Sequence, residues 1–184
     1  LTLLSLIIST FIIIGQTQQN IESELILLNV RTGKEKVILR EKRHFEAPNW
    51  SRDGKFLIIN SGGKLEKISL NGKNLGVIDT GFADNCNNDH GLSFDGKWVI
   101  ISHNDSRVSS PGGNSRIFIL PASGGVPRLI TANYPSYWHG VSSDNQWVTY
   151  CAMRNGEWDI YKTHVITDEE IRLTDAEGLD DGPE

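Results

Sequence analysis

The chain has 184 residues, a formal net charge of −5 and no run of Lys or Arg, so nothing in it is built to meet a phosphate backbone and no nucleic-acid partner is expected. Hydrophobic residues make up 38%, with 18 Gly and five Trp, a mixture that suits many short strands joined by turns and argues against a helical bundle. The length allows one domain of ordinary size.

The chain starts with Leu1, and residues 3–14 are almost wholly apolar before the polar run Gly15-Gln16-Thr17-Gln18-Gln19-Asn20. Twelve residues fit the apolar core of a signal peptide and are short for a bilayer span. The charged segment that normally precedes such a core is missing, so the start of the gene product is expected upstream. Residues 1–19 are therefore read as a signal peptide or N-terminal hydrophobic segment. Residues 20–184 are read as the exported domain, periplasmic or secreted in a bacterium, with no stable membrane span after cleavage.

Next comes a strand over 24–30, a turn at Arg31-Thr32-Gly33-Lys34 and a strand over 35–39. The segment Pro48-Asn49-Trp50-Ser51-Arg52-Asp53-Gly54-Lys55 then runs into apolar 56–60, with further strands predicted at 65–70 and 76–79. Asp-Gly between β-forming runs is a strong hairpin signal, because Gly accepts positive φ without cost. The pattern returns at Asp89-His90-Gly91-Leu92-Ser93-Phe94-Asp95-Gly96-Lys97, with strands predicted at 91–94, 98–102, 116–121 and 128–131. A polar insertion, 104–114, reads as a loop. It returns again at His139-Gly140-Val141-Ser142-Ser143-Asp144-Asn145, with Asn145 in the glycine's place, and strands at 140–142, 146–152, 159–164 and 170–174.

Ser51, Ser93 and Ser142 thus recur at intervals of 42 and 49 residues. Four strands per period of this length indicate the blades of a β-propeller, in which each sheet buries its faces against its neighbours. The fold class is all-β: about three complete four-stranded blades plus a half blade. Trp50, Phe94, Trp98 and Trp147 fall near the turns and are expected to pack between blades.

Trp50-Ser51-Arg52-Asp53-Gly54-Lys55, Leu92-Ser93-Phe94-Asp95-Gly96-Lys97, Trp158-Asp159-Ile160-Tyr161 and Ile171-Arg172-Leu173-Thr174 resemble the TolB-like, WD40-like (PD40) propeller repeat. The resemblance covers about residues 22–184 and speaks to fold more than to function. It implies a six-bladed ring of which this chain is a fragment. The repeat's usual Pro before Asp-Gly is replaced by Arg52, Phe94 and Ser143. His90 and His139 stand where the repeat commonly has Pro.

In a propeller the first strand of each blade lines the central channel, so the segments leading into it are where a ligand would sit. Asp89, His90, Trp138, His139 and Asp181 are the candidate channel-face residues. His90 and His139, at equivalent offsets from Ser93 and Ser142, are expected to be neighbours across adjacent blades. They read either as rim residues bonded to backbone or water, or as a pair that shares a divalent metal or moves protons, since imidazole suits both tasks. His44 aligns with Cys86 just outside this rim and could join them, while His103 and His164 are expected at the surface. Cys86 and Cys151 form no metal motif or disulfide framework and read as free thiols, one in a loop and one in a strand. The acidic stretch 175–181 reads as a solvated loop.

The chain has no Gly-x-Ser-x-Gly elbow, His-Glu-x-x-His, P-loop or Gly-x-Gly-x-x-Gly motif. The first functional expectation is a non-catalytic, exported propeller that binds a protein or envelope-glycan partner through its channel face, without a cofactor. One alternative is a metal-dependent carbohydrate-active propeller similar to oligogalacturonate lyases, with the metal on His90 and His139. The other is the propeller portion of a prolyl-oligopeptidase-type serine peptidase whose catalytic domain lies elsewhere in the gene product.

Overall fold

A computed structural model describes residues 21–183. The apolar segment 3–14 lies outside the described residues. Strands β1 (Ser23–Leu28) and β2 (Glu35–Glu41) pair as a two-stranded antiparallel sheet. Three four-stranded antiparallel meanders follow. The first is β3 (Glu46–Trp50), β4 (Phe56–Ser61), β5 (Lys64–Ser69) and β6 (Asn74–Val77). The second is β7 (Cys86–Leu92), β8 (Trp98–Asn104), β9 (Ser115–Pro121) and β10 (Arg128–Leu129). The third is β11 (Ser136–Val141), β12 (Trp147–Arg154), β13 (Glu157–His164) and β14 (Glu170–Arg172). These are the three blades and the half blade expected from the repeat. Among the described residues no helix is long and apolar enough to cross a membrane.

The second strands of the first two blades carry continuous apolar runs, Phe56–Ile59 in β4 and Trp98–Ile101 in β8, because both their faces are covered. Along β8, Val99 and Ile101 join Ile58 and Leu65 of the first blade in one core, whereas Ile100 joins Val148 and Tyr150 of the third blade in another. A third core joins Leu25 and Ile38 of the two-stranded sheet to Leu57, Ile59 and Ile68. Each buried aliphatic side chain contributes roughly 1.5–3 kcal/mol. The blades are therefore held face to face by branched aliphatics together with Phe118, Trp138, Tyr150 and Tyr161. Of the aromatics expected between blades, Trp50 and Trp98 are 49% and 41% exposed, Phe94 is 51% exposed but meets Arg52 of the first blade at the turn face, and Trp147 packs edge-on against His164 of its own blade. They sit on or beside the turns, beyond the edge of the cores.

The turns show why Ser, Asp and Gly recur together. Ser51 Oγ donates to Asp53 Oδ1 (2.8 Å) and accepts from the Phe56 amide (3.0 Å), while Asp53 Oδ1 accepts from the Lys55 amide (3.2 Å). The same three bonds form around Ser93 with Asp95, and around Ser142 with Asp144. Gly54, Gly96 and Asn145 take φ of 70°, 69° and 60°, so Asn145 does the work of the glycine it replaces.

The first strand of each blade begins earlier than expected: β7 covers 86–92 instead of 91–94, and β11 covers 136–141 instead of 140–142. Their polar residues read as loop in the sequence, yet Cys86, His90, Ser136 and Tyr137 pair with the second strand of their blade. Cys86 consequently lies in β7, and both thiols are buried and free. His103 is also a correction. It is 5% exposed, set edge-on against Phe82 and Phe118, and burial lowers its pKa. His164 is half-buried, and its Nδ1 accepts from the Ile166 and Thr167 amides.

Candidate functional site

The first strands of neighbouring blades lie side by side, and all three carry a bulge at about the same level. In β3 the ladder passes from Glu46↔Asn60 to Asn49↔Ile58, with Ala47 at φ 53°. In β7 it passes from Cys86↔His103 to His90↔Ile101, leaving 87–89 off the ladder. In β11 it passes from Trp138↔Tyr150 to Gly140↔Thr149, leaving out His139. A bulge re-aims a side chain that a regular ladder would point elsewhere.

The two histidines therefore do not hold equivalent ladder positions. Ile101 and Tyr150 hold the same register in their strands, three residues after Trp98 and Trp147. The ladder partner of Tyr150 is Trp138, so Trp138 and not His139 is the counterpart of His90. The extra residue in β11 cannot be seen when the copies are aligned on their serines.

His90 is 2% exposed. Its Nδ1 lies 3.1 Å from the Asn88 carbonyl, and its Nε2 is buried without a well-formed partner. Burial pushes its pKa down to about 4, against the carbonyls of Ile58 and Asn88 that favour the protonated form. His90 is therefore a neutral side chain wedged between blades. Trp138 is 8% exposed, belongs to the core between the second and third blades, and its amide donates to Ser102 Oγ at 2.8 Å. His44 is exposed and lies 3.7 Å from Glu46.

The other three candidates do meet. His139 Nε2 lies 3.0 Å from Asp181 Oδ1, and both line a cavity of about 480 Å³ together with Asp89. Burial raises the Asp89 pKa. His139 opposes that shift, and the Asp181 charge adds to it. The cavity is walled by Tyr137 and Trp158, whose ring centres are 5.9 Å apart. Burial, then the Asp89 charge, raises the Tyr137 phenol.

Two features position this wall. The segment 179–181 is tied down by a bridge between Trp158 and Leu179, by the Asp180 amide donating to the Trp158 carbonyl (3.1 Å), and by Cys151 Sγ donating to the Asp180 carbonyl (3.1 Å). The insertion 104–114 also closes on the cavity and is not a free loop. Asp105, 1% exposed, accepts two 2.7 Å bonds from Arg107, which hold its carboxyl well below the usual carboxylate range. Gly112 from this loop lines the cavity and packs so closely on Met153 that a Cβ there would lie 2.0 Å from Cε.

Tyr137, Trp158 and Gly112 were not singled out by the sequence reading. Tyr137 is next to two chosen residues, but Trp158 reads as the start of an ordinary blade strand and Gly112 as loop filler. A second concavity of about 330 Å³ lies at the turn end of the inner strands, between Trp50, Arg52, Phe94 and Val141. Among the described residues no group of three or more His, Cys, Asp or Glu converges as a metal site.

Comparisons place this architecture among known proteins. No family model matches the chain. An uncharacterised protein of Agrobacterium fabrum is 46% identical over 166 residues, covering 90% of this chain and 55% of that protein. A solved structure from Agrobacterium tumefaciens assigned to TolB is 47% identical, with a TM-score of 0.79 over 88% of this chain and 57% of that one. TolB from Acinetobacter baumannii superposes with a TM-score of 0.68 at 19% identity, over 85% of this chain and 38% of that one, and shares the fold. The chain spans somewhat over half the length of the two Agrobacterium proteins it resembles. Its fold is that of a TolB-like β-propeller.

Proposed function

We propose that this chain is part of an exported, non-catalytic TolB-like propeller that binds a protein partner through its channel face. The observation that carries the reading is the cavity at the bulged ends of β7 and β11. It is open, carboxylate-bearing and walled by Tyr137 and Trp158, which is the chemistry of a recognition surface. The likeness to the Agrobacterium tumefaciens TolB structure supports it. The apolar segment 3–14 supports export to the periplasm or beyond.

The metal-dependent alternative gains nothing from the geometry, because His90 lies between blades while His139 faces Asp181.

The test is site-specific photo-crosslinking in the native organism with the full-length protein. A crosslinker replacing Asn88 on the rim is expected to capture one defined envelope protein. The same crosslinker replacing the outer-strand Lys162 should not. Equal products from both positions, or turnover of a uronate polymer by the purified protein, overturns the reading.

A further inference from the structure

Two carboxylates, Asp89 and Asp181, face a single imidazole, His139, in the channel-side cavity, and no Lys or Arg is among its described lining residues. This is an unbalanced negative site in a pocket of about 480 Å³, the size of an ordinary small-ligand pocket. His139 is committed to Asp181 at 3.0 Å. Asp89 has no basic side chain within ion-pair distance among the described residues. The oxygens do not converge in the manner of a metal sphere. What completes the wall is instead the pair of rings of Tyr137 and Trp158, 5.9 Å apart and tilted by 39°. Aromatic faces beside carboxylates suit an organic cation, whose charge meets the oxygens while its carbon-bound surface lies on the rings.

We propose that this cavity binds an alkylammonium or guanidinium group, placed against Asp89 and Asp181 and flanked by Tyr137 and Trp158. The group comes either from a free amine or from a Lys or Arg side chain of an incoming peptide. The inference rests on the channel face being a binding surface, and it adds the chemistry of what is bound. An anion would meet two carboxylates. A neutral sugar could use the rings and leave the Asp89 charge without a partner. The cavity's position at the bulges explains why the site is local. Both β7 and β11 leave residues off the ladder there, and segment 179–181 beside it is held by Cys151 and Trp158.

The experiment is calorimetric titration of the full-length protein with n-butylammonium, agmatine, a capped Ala-Lys-Ala peptide and a capped Ala-Arg-Ala peptide, against n-butanol and a capped Ala-Gln-Ala peptide. The cationic probes are expected to bind at least ten-fold more tightly than their neutral counterparts, with affinity falling as salt is added. Asp89→Asn and Asp181→Asn should each weaken them by ten-fold or more. Trp158→Leu should weaken them while leaving the circular dichroism spectrum unchanged, and Asp168→Asn, on an exposed turn, should have no effect. Peptides that bind more tightly than the free amines assign the cation to a peptide side chain. The reverse order assigns it to a free amine.

Equal binding of neutral and cationic probes, or no cation binding at millimolar concentration, overturns the proposal. A crosslinked partner without cation binding leaves the broader reading standing and removes this one. Cation binding without any crosslinked partner does the opposite.

Discussion

The indole of Trp138 occupies the space where Gly91 of the neighbouring strand would carry a side chain: a Cβ on Gly91 would lie 2.3 Å from Cη2 of the ring. The contact joins the inner strands of two blades and fixes Trp138 in the core beside the cavity. We expect Gly91→Ala to destabilise the protein by about 2 kcal/mol through overpacking, and Trp138→Leu in the same chain to return part of that loss. Urea denaturation of the two variants checks both values. An unchanged midpoint for Gly91→Ala contradicts the contact.

Arg52 holds the first two blades together at the turn face. Its Nε donates to the Ser93 carbonyl (2.9 Å), its Nη2 donates to the Leu92 carbonyl (2.7 Å), and its guanidinium sits 4.6 Å from the Phe94 ring centre. Arg52→Ala is expected to cost about 1–2 kcal/mol, since two partly buried carbonyls lose a charged donor. Arg52→Lys should restore little of it, because an ammonium cannot reproduce the planar fork. Thermal unfolding of the pair tests this, and a lysine variant as stable as the parent would refute it.

The fifth residue of each blade's second strand reaches the next inner segment. Asn60 donates its amide to the carbonyls of Cys86 and Asn87, Ser102 Oγ accepts the Trp138 amide, and Cys151 Sγ donates to the Asp180 carbonyl. Asn60 is 2% exposed, so Asn60→Leu should cost about 2–3 kcal/mol by leaving carbonyls unpaired. Cys151→Ser keeps a donor and is expected to stay within about 1 kcal/mol of the parent. Chemical denaturation distinguishes the two, and similar losses in both would show that the donor is not what matters.

His90 makes stability depend on pH. Its folded pKa of about 4 lies below its ordinary value of 6.5, so the unfolded chain takes up a proton in a range where the folded chain does not. Stability is therefore full above pH 6.5 and falls as pH drops toward 4. Between pH 7 and pH 5 the loss from this residue is about 2 kcal/mol. His90→Leu should flatten that interval, although His103 leaves some slope of the same sign. Urea midpoints at both pH values measure it, and equal slopes in parent and variant would contradict a buried neutral His90.

The parts of this molecule legible in its sequence are those set by local chemistry. Ser51, Asp53 and Gly54 make their turn among themselves, so the turn could be found three times by its residues alone. The blades followed from that recurrence. The offset between His90 and His139 was different, because it depends on a one-residue bulge whose only trace is the cross-strand register. Trp158 joined the site because Leu179 bridges to it from downstream, a pairing between segments that no local pattern announces. His103 looked like a surface residue at a strand end, and Phe82, from the preceding turn, covers it.

The alternation along β8 sets energetic coupling at odds with chain order. Ile100 and Ile101 share a peptide bond yet belong to different interiors, whereas Ile101 and Ile58 share one across 43 positions. Truncating Ile100 and Ile101 together should thus cost close to the sum of the separate losses, while truncating Ile101 and Ile58 together should not. The second blade owns no interior of its own. Its strands are half of two others, so a lesion in one middle strand is felt on both sides, and this blade cannot be exchanged for another without matching both of its neighbours.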